Sequence, residues 1–287
     1  MKFAHAALAL VVLHLTVYGE PPSQGKRIYV CGHSFHVPIA SPLEQIAKLA
    51  DLKGHITVGR SFIGGSTVTR HWEIPDADSD VKKAIKTGKV DVLTLSPHPR
   101  IVPDEAIGKF AELLLASNPK GVVVVQASYL GFDGQQRGAF RNQNRDQTKI
   151  EALREATEPF ERKLKSQLEE LSKKHQEKHG RQVVVLAPVN EAVLRLREKV
   201  AKGKVPGIGR QSELFRDDAG HGQAPIAVLA AYCHYAVIYR RSPIGLGVPS
   251  ELRTYGKDAE RLNRVLQEIS WEAVKDEPLS GIAAKTK

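Results

Sequence analysis

Cysteine is scarce: the 287 residues include two. This excludes a disulfide scaffold, a Cys-rich zinc site and an iron–sulfur ligand set, so packing must supply stability. Cys31 and Cys233 sit in apolar runs, which predicts buried free thiols, with a disulfide between them as the alternative. Past the N-terminus no apolar run approaches the length of a membrane span. Neither G-x-G-x-x-G nor G-x-x-x-x-G-K follows a strand, so Gly64-Gly65 is no phosphate cradle. Blocks of five or six like charges are also absent. The formal charge of +10 is spread along helices beside acids, as in Glu161-Arg162-Lys163 and Glu177-Lys178. That distribution describes a solvated basic surface rather than a dedicated nucleic-acid site, and a polyanion binder would rest on net charge alone.

The content that remains, 41% hydrophobic and 26% charged, is that of an ordinary globular protein. Residues 1–19 carry Lys2 and His5, the apolar stretch Ala6 to Leu13, and Val17-Tyr18-Gly19 before Glu20-Pro21-Pro22. A short basic start, brief apolar centre and small residue at the end predict a secretory signal peptide and a secreted or periplasmic protein; an uncleaved interfacial anchor is the alternative. Cleavage there would remove Lys2 and no acid, leaving the chain basic. With no internal repeat or low-complexity linker, residues 26–287 are expected to form a single domain.

Four near-continuous apolar runs, 27–31, 90–95, 121–126 and 182–186, predict strands buried on both faces, and 55–58 is a weaker fifth. Helical patterns lie between or after them at 43–52, 103–116, 148–179, 190–202 and 225–239. In 148–179, Ile150, Leu153, Phe160, Leu164, Leu168 and Leu171 form a stripe, with an interruption expected at Pro159. The alternation predicts a doubly wound α/β layer structure, whose ligands bind outside the carboxyl ends of the strands. Chemistry is therefore expected on the loops that follow the strands.

On the first loop, Gly32-His33-Ser34 puts a serine directly after a strand, where it serves as a nucleophile if a base reaches it and otherwise as a helix cap. Far along the chain, Asp218-Ala219-Gly220-His221 precedes the apolar helix, a spacing that lets a carboxylate orient an imidazole. Asp217 falls outside that three-residue offset. These two segments, with Ile63-Gly64-Gly65-Ser66-Thr67 after the second strand, resemble blocks I, V and II of the SGNH (GDSL-like) hydrolases, over about residues 26–240. The resemblance implies a three-layer flavodoxin-like fold with a five-stranded parallel sheet. It also implies hydrolysis of a carboxylic ester, such as an O-acetyl group on carbohydrate, through an acyl-enzyme and without a cofactor. By motif, Ser34 would be the nucleophile, His221 the general base and Asp218 its orienting carboxylate. The N–H groups of Ser34 and Gly65 would form the oxyanion hole.

Two positions depart from the family pattern. His33 stands where the family has Asp, and Ser96-Pro97-His98 replaces G-x-N, so His98 occupies the position of the oxyanion Asn. An imidazole N–H can donate there only if correctly turned, and losing such a donor costs about two to three powers of ten in rate. A catalytically weak or silent glycan-binding protein is therefore the alternative.

His36 and Trp72 are candidate substrate contacts; Trp72 and Phe35 offer faces for a sugar or acyl group, or else simply cover their loops. His36, His71, His98 and His221 face one end of the expected sheet, but no carboxylate or thiolate recurs at ligand spacing, and no metal is expected. The polar stretch from Gly131 to Arg145 reads as a lid or substrate loop, or a basic surface loop, with Arg137, Arg141 and Arg145 exposed.

Overall fold

The computed structural model describes residues 24–282, so the expected signal peptide at 1–19 and the end of the 26–287 unit lie outside the described residues. Five strands, β1 (Arg27–Gly32), β2 (Ile56–Phe62), β3 (Val92–Leu95), β4 (Val122–Gln126) and β5 (Val184–Ala187), form one parallel sheet in the order β2-β1-β3-β4-β5. This is the doubly wound flavodoxin-like order. Strand order reverses between β1 and β3, which opens a crevice at their carboxyl ends.

Alternating side chains send each strand's bulk to two cores. Ile28, Val30, Val92, Val124 and Val185 face one, beneath α1 (Ala40–Leu49), α6 (Val189–Ala201), α7 (Ala224–Tyr239) and α8 (Ala259–Asp276). Tyr29, Leu93, Leu95, Val123, Val125 and Leu186 face the other, beneath α2 (Val68–Trp72), α3 (Asp80–Lys86), α4 (Ala106–Ser117) and α5 (Ile150–His179). The central strands read as continuous apolar runs because both faces are covered. At the edge, β2 leaves Ile56, Val58 and Phe62 exposed and reads as a weaker strand.

The sequence pattern does not announce α2, α3 or α8. In α8 the buried stripe of Leu262, Leu266, Ile269 and Ala273 is interrupted by Asn263 and Gln267, also buried. Both are satisfied: Asn263 Oδ1 accepts from the Tyr232 hydroxyl at 2.6 Å, and Gln267 Nε2 donates to Leu246 O at 2.8 Å. Helix α5, expected to be interrupted at Pro159, runs through it; Pro159 is exposed, where water can serve the carbonyl it leaves unpaired. Cys31 and Cys233 are free, buried thiols in cores on opposite faces of the sheet, which rules out the disulfide alternative; burial pushes both thiol pKa values up. No helix among the described residues is long and apolar enough to cross a membrane.

Of the histidines buried at or beside the carboxyl ends of the strands, three are shifted furthest in pKa. Burial, then the neighbouring His234, holds His36 at about 3; burial, then His36, holds His33 at about 3; burial holds His234 at about 4. Each ring is neutral in the fold and ordinary, near 6.5, in the unfolded chain. Below about pH 6.5 the unfolded chain therefore binds protons that the native state refuses, and stability, full above that pH, declines as pH falls. Urea midpoints should decrease steadily from about pH 7 to about pH 4, with a shallower slope in His234→Gln. A midpoint independent of pH across that window would contradict the neutral buried rings.

Candidate active site

Ser34 follows β1 by two residues. The turn is closed by His36 N and Val37 N, each donating to His33 O at 3.0 Å, before a short 3-10 turn feeds α1. Gly32 is required here because a Cβ would sit 2.9 Å from the His36 ring. His33, in place of the family's Asp, ties the turn to β3: its Nδ1 accepts from Phe35 N at 3.2 Å, which leaves the hydrogen on Nε2 to donate to Pro97 O at 3.2 Å. Ser96 Oγ lies 3.1 Å from the same nitrogen.

His221 reaches Ser34 from the opposite side of the crevice. Its Nε2 lies 2.9 Å from Ser34 Oγ, and its Nδ1 lies 2.6 Å from Asp217 Oδ2. A carboxylate only accepts, so Nδ1 carries the hydrogen and Nε2 is the acceptor for the serine hydroxyl. Burial acts to raise the Asp217 pKa but is outweighed by the backbone N–H and ring of His221, and the net position is below the usual carboxylate range.

The expected partner, Asp218, is therefore corrected to Asp217. The chain doubles back between Arg216 and Gly222: Arg216 N donates to His221 O at 2.9 Å, and Asp217 Oδ1 accepts from Gly220 N and His221 N at 2.9 and 3.1 Å. Within so tight a turn it is the residue four before the histidine whose carboxylate faces the ring. Asp218 points outward, accepting from Asn142 N at 2.8 Å and pairing with Arg141 at 3.3 Å.

Beneath the turn lies a residue that the sequence pattern misassigned. Arg145, expected to be exposed, is fully buried between the rings of Phe140 and Phe215. It donates to Asp217 O at 3.2 Å, Asp218 O at 3.0 Å and Asn142 Oδ1 at 2.8 Å. Its Nε lies 3.3 Å from Asp133, which Arg197 grips through two hydrogen bonds at 3.0 and 2.7 Å. Gly220, at φ +96°, allows the approach: a Cβ there would meet the Arg145 guanidinium at 2.8 Å. No local sequence signal marks it as interior, because its neighbours Asn144 and Asp146 are polar and Phe215 lies far along the chain.

The crevice is a cavity of about 640 Å³ lined by Ser34, His221, Gly65, His98, Phe35 and Phe132, among others. Gly65 and His98 thus line the same cavity as Ser34. His98 Nδ1 accepts from Arg100 N at 3.2 Å, and burial, then Arg100, lowers the ring's pKa, so a neutral ring carries its hydrogen on Nε2. Neither Ser34 N nor Gly65 N is used in the hydrogen bonds of its own turn.

The two candidate substrate contacts lie elsewhere. His36 is fully buried; its Nδ1 donates to Gln126 Oε1 at 3.1 Å and its Nε2 accepts from the Thr94 hydroxyl at 3.0 Å. Trp72 packs edge-on against Phe110 beneath the Lys82 ammonium and does not line the cavity. Phe35 does line it, stacked on Tyr129 with centroids 4.8 Å apart and edge-on to His221. His36, His71, His98 and His221 each hydrogen-bond a different protein group, and among the described residues no three His, Cys, Asp or Glu converge as metal ligands.

Arg145→Met should leave Asp133 half-paired and the Asp217 and Asp218 carbonyls without a donor, costing about 3–5 kcal/mol. Urea unfolding measures it; a loss below about 1 kcal/mol would show that the buried cation does not hold the turn.

The chain matches no protein-family model and no curated protein. Among solved structures it is similar to a DUF4886 family protein from Bacteroides uniformis, at 15% identity and a TM-score of 0.51, covering 88% of this chain and 95% of that one. A protein provisionally named an SGNH hydrolase, from Slackia heliotrinireducens, aligns at 15% identity and a TM-score of 0.44, covering 74% of this chain and 97% of that one. At such identities the likeness is one of fold, and the five-stranded, flavodoxin-like α/β architecture implied by the SGNH resemblance is the fold of this chain.

Proposed function

We propose that this protein is an exported serine hydrolase that cleaves a carboxylic ester, with O-acetylated carbohydrate as a candidate substrate. The observation that carries the reading is the continuous hydrogen-bonded line from Asp217 through His221 to Ser34, opening into a cavity at the switch point of the sheet. In this reading Ser34 Oγ attacks the ester carbonyl carbon while His221 Nε2 takes its proton. Asp217 stabilises the resulting imidazolium. The carbonyl oxygen becomes an oxyanion facing the N–H groups of Ser34 and Gly65 and the Nε2–H of His98. Collapse breaks the bond to the alcohol, which leaves with the proton from His221; water, deprotonated by His221, then releases the acid and restores Ser34. Export rests on the sequence of residues 1–19, and the mass of the mature N-terminus tests it.

Labelling by a fluorophosphonate and turnover of an aryl acetate should both occur in wild type and vanish in Ser34→Ala. No labelling, with wild-type rates equal to the buffer background, would refute the hydrolase. The silent glycan-binding reading, favoured by His98 at the Asn position, instead expects saturable glycan binding that survives Ser34→Ala.

The two aspartates should separate sharply. Asp217→Ala should lower kcat by about four powers of ten. Asp218→Ala removes a partly exposed pair and should cost less than about tenfold. Equal losses would remove Asp217 from the catalytic line.

A further inference from the structure

Beyond the catalytic groups, the cavity lining is one-sided in charge. Its charged groups are Arg100 and Arg137, beside Gln135 and Gln136, and it holds no carboxylate. The acids of the surrounding loops are turned to other partners: Asp133 to Arg145 and Arg197, Asp146 to Ser212, Asp217 to His221, Asp218 to Arg141. Arg141 is thereby neutralised. Arg137 is exposed at the cavity wall and, among the described residues, has no ion-pair or hydrogen-bond partner. Arg100 is anchored instead: its guanidinium donates to Gly134 O and its backbone N–H holds His98. One guanidinium is thus fixed beside the oxyanion-side imidazole and another is free, both on a wall with no opposing charge.

A concave wall of one sign concentrates ligands of the other, and a guanidinium meets a carboxylate or sulfate through two parallel hydrogen bonds. We propose that the cavity selects esters that carry an anionic carboxylate or sulfate group, with Arg137 as the specificity-determining contact and Arg100 flanking it. This rests on the ester-hydrolase reading and narrows it to acidic substrates. Neutral acyl esters would enter the same cavity but forgo the interaction.

Two matched pairs test the proposal: 4-acetoxybenzoate against phenyl acetate, with the charge on the alcohol side, and a 4-nitrophenyl succinate monoester against 4-nitrophenyl butyrate, with the charge on the acyl side. Dividing wild-type by variant kcat/KM for each ester cancels its intrinsic reactivity. For Arg137→Gln that quotient should be at least about tenfold larger for the anionic than for the neutral member of one pair, the scale of a charge-assisted hydrogen bond. Arg137→Lys should recover part of the loss, and added salt should shrink it. Equal quotients within both pairs would overturn the proposal. Binding of 4-acetamidobenzoate, an amide that keeps the shape of the first anionic ester, compared with neutral acetanilide, keeps the two readings separable. If no ester is turned over but 4-acetamidobenzoate binds at least about tenfold tighter and loses that margin in Arg137→Gln, the hydrolase falls and the anion site stands. If esters are turned over without charge preference, the anion site falls and the hydrolase stands.

Discussion

A guanidinium sealed from water beneath the Asp217–His221 turn is the constraint on which the site depends. Arg145 sits between two aromatic faces and places its Nη donors on the carbonyls of Asp217 and Asp218 and on Asn142. Its charge is balanced by Asp133, which is shared with Arg197 on α6. Such a cluster adds little net stability over a well-packed apolar one, because desolvation offsets the attraction. What it supplies is position: a turn whose carbonyls must meet fixed donors has one conformation, and that conformation aims the Asp217 carboxylate at the imidazole. The chain accepts local strain for this, since Phe132 and Asp133 both adopt positive φ, near 53° and 48°. That bend sends Asp133 inward, lines the cavity with Phe132, and lets Phe132 N donate to Ala219 O at 3.0 Å.

The opposite wall is held by neutral groups. Where the SGNH pattern has an acid beside the serine, His33 bridges the ends of β1 and β3, and the hydrogen bonds continue through Ser96, Ser128 and Gln126 to His36. A neutral imidazole can accept at one nitrogen and donate at the other, so it links two loops that an acceptor-only carboxylate would not. The departure at residue 33 is therefore a substitution of connectivity. No carboxylate is left at the position next to the nucleophile, in keeping with the cationic wall of the cavity.

Much of this was legible beforehand. Near-continuous apolar runs mark β1, β3, β4 and β5 because a covered parallel sheet demands apolar side chains on both faces, whereas the exposed edge strand β2 reads only weakly, and the switch-point rule places the chemistry on the loops after the strands. Ser34, Gly65, His98 and His221 converge at one cavity as the motif spacing implied. His36 and Trp72 were misjudged because loop membership says nothing about which way a ring turns. One fills the space that Gly32 leaves open, and the other covers α4 through Phe110.

By itself, the sequence determined the layer architecture, the strand runs and the residue types available at the carboxyl ends of the sheet, since these follow from local periodicity and short-range motif spacing. Tertiary structure alone decided which aspartate faces His221, that Arg145 is interior and Arg137 exterior, and that the cavity wall carries one sign of charge. Those outcomes depend on how segments distant in the chain, 131–147 and 215–222, satisfy one another's buried polar groups. No periodicity within either segment records that pairing.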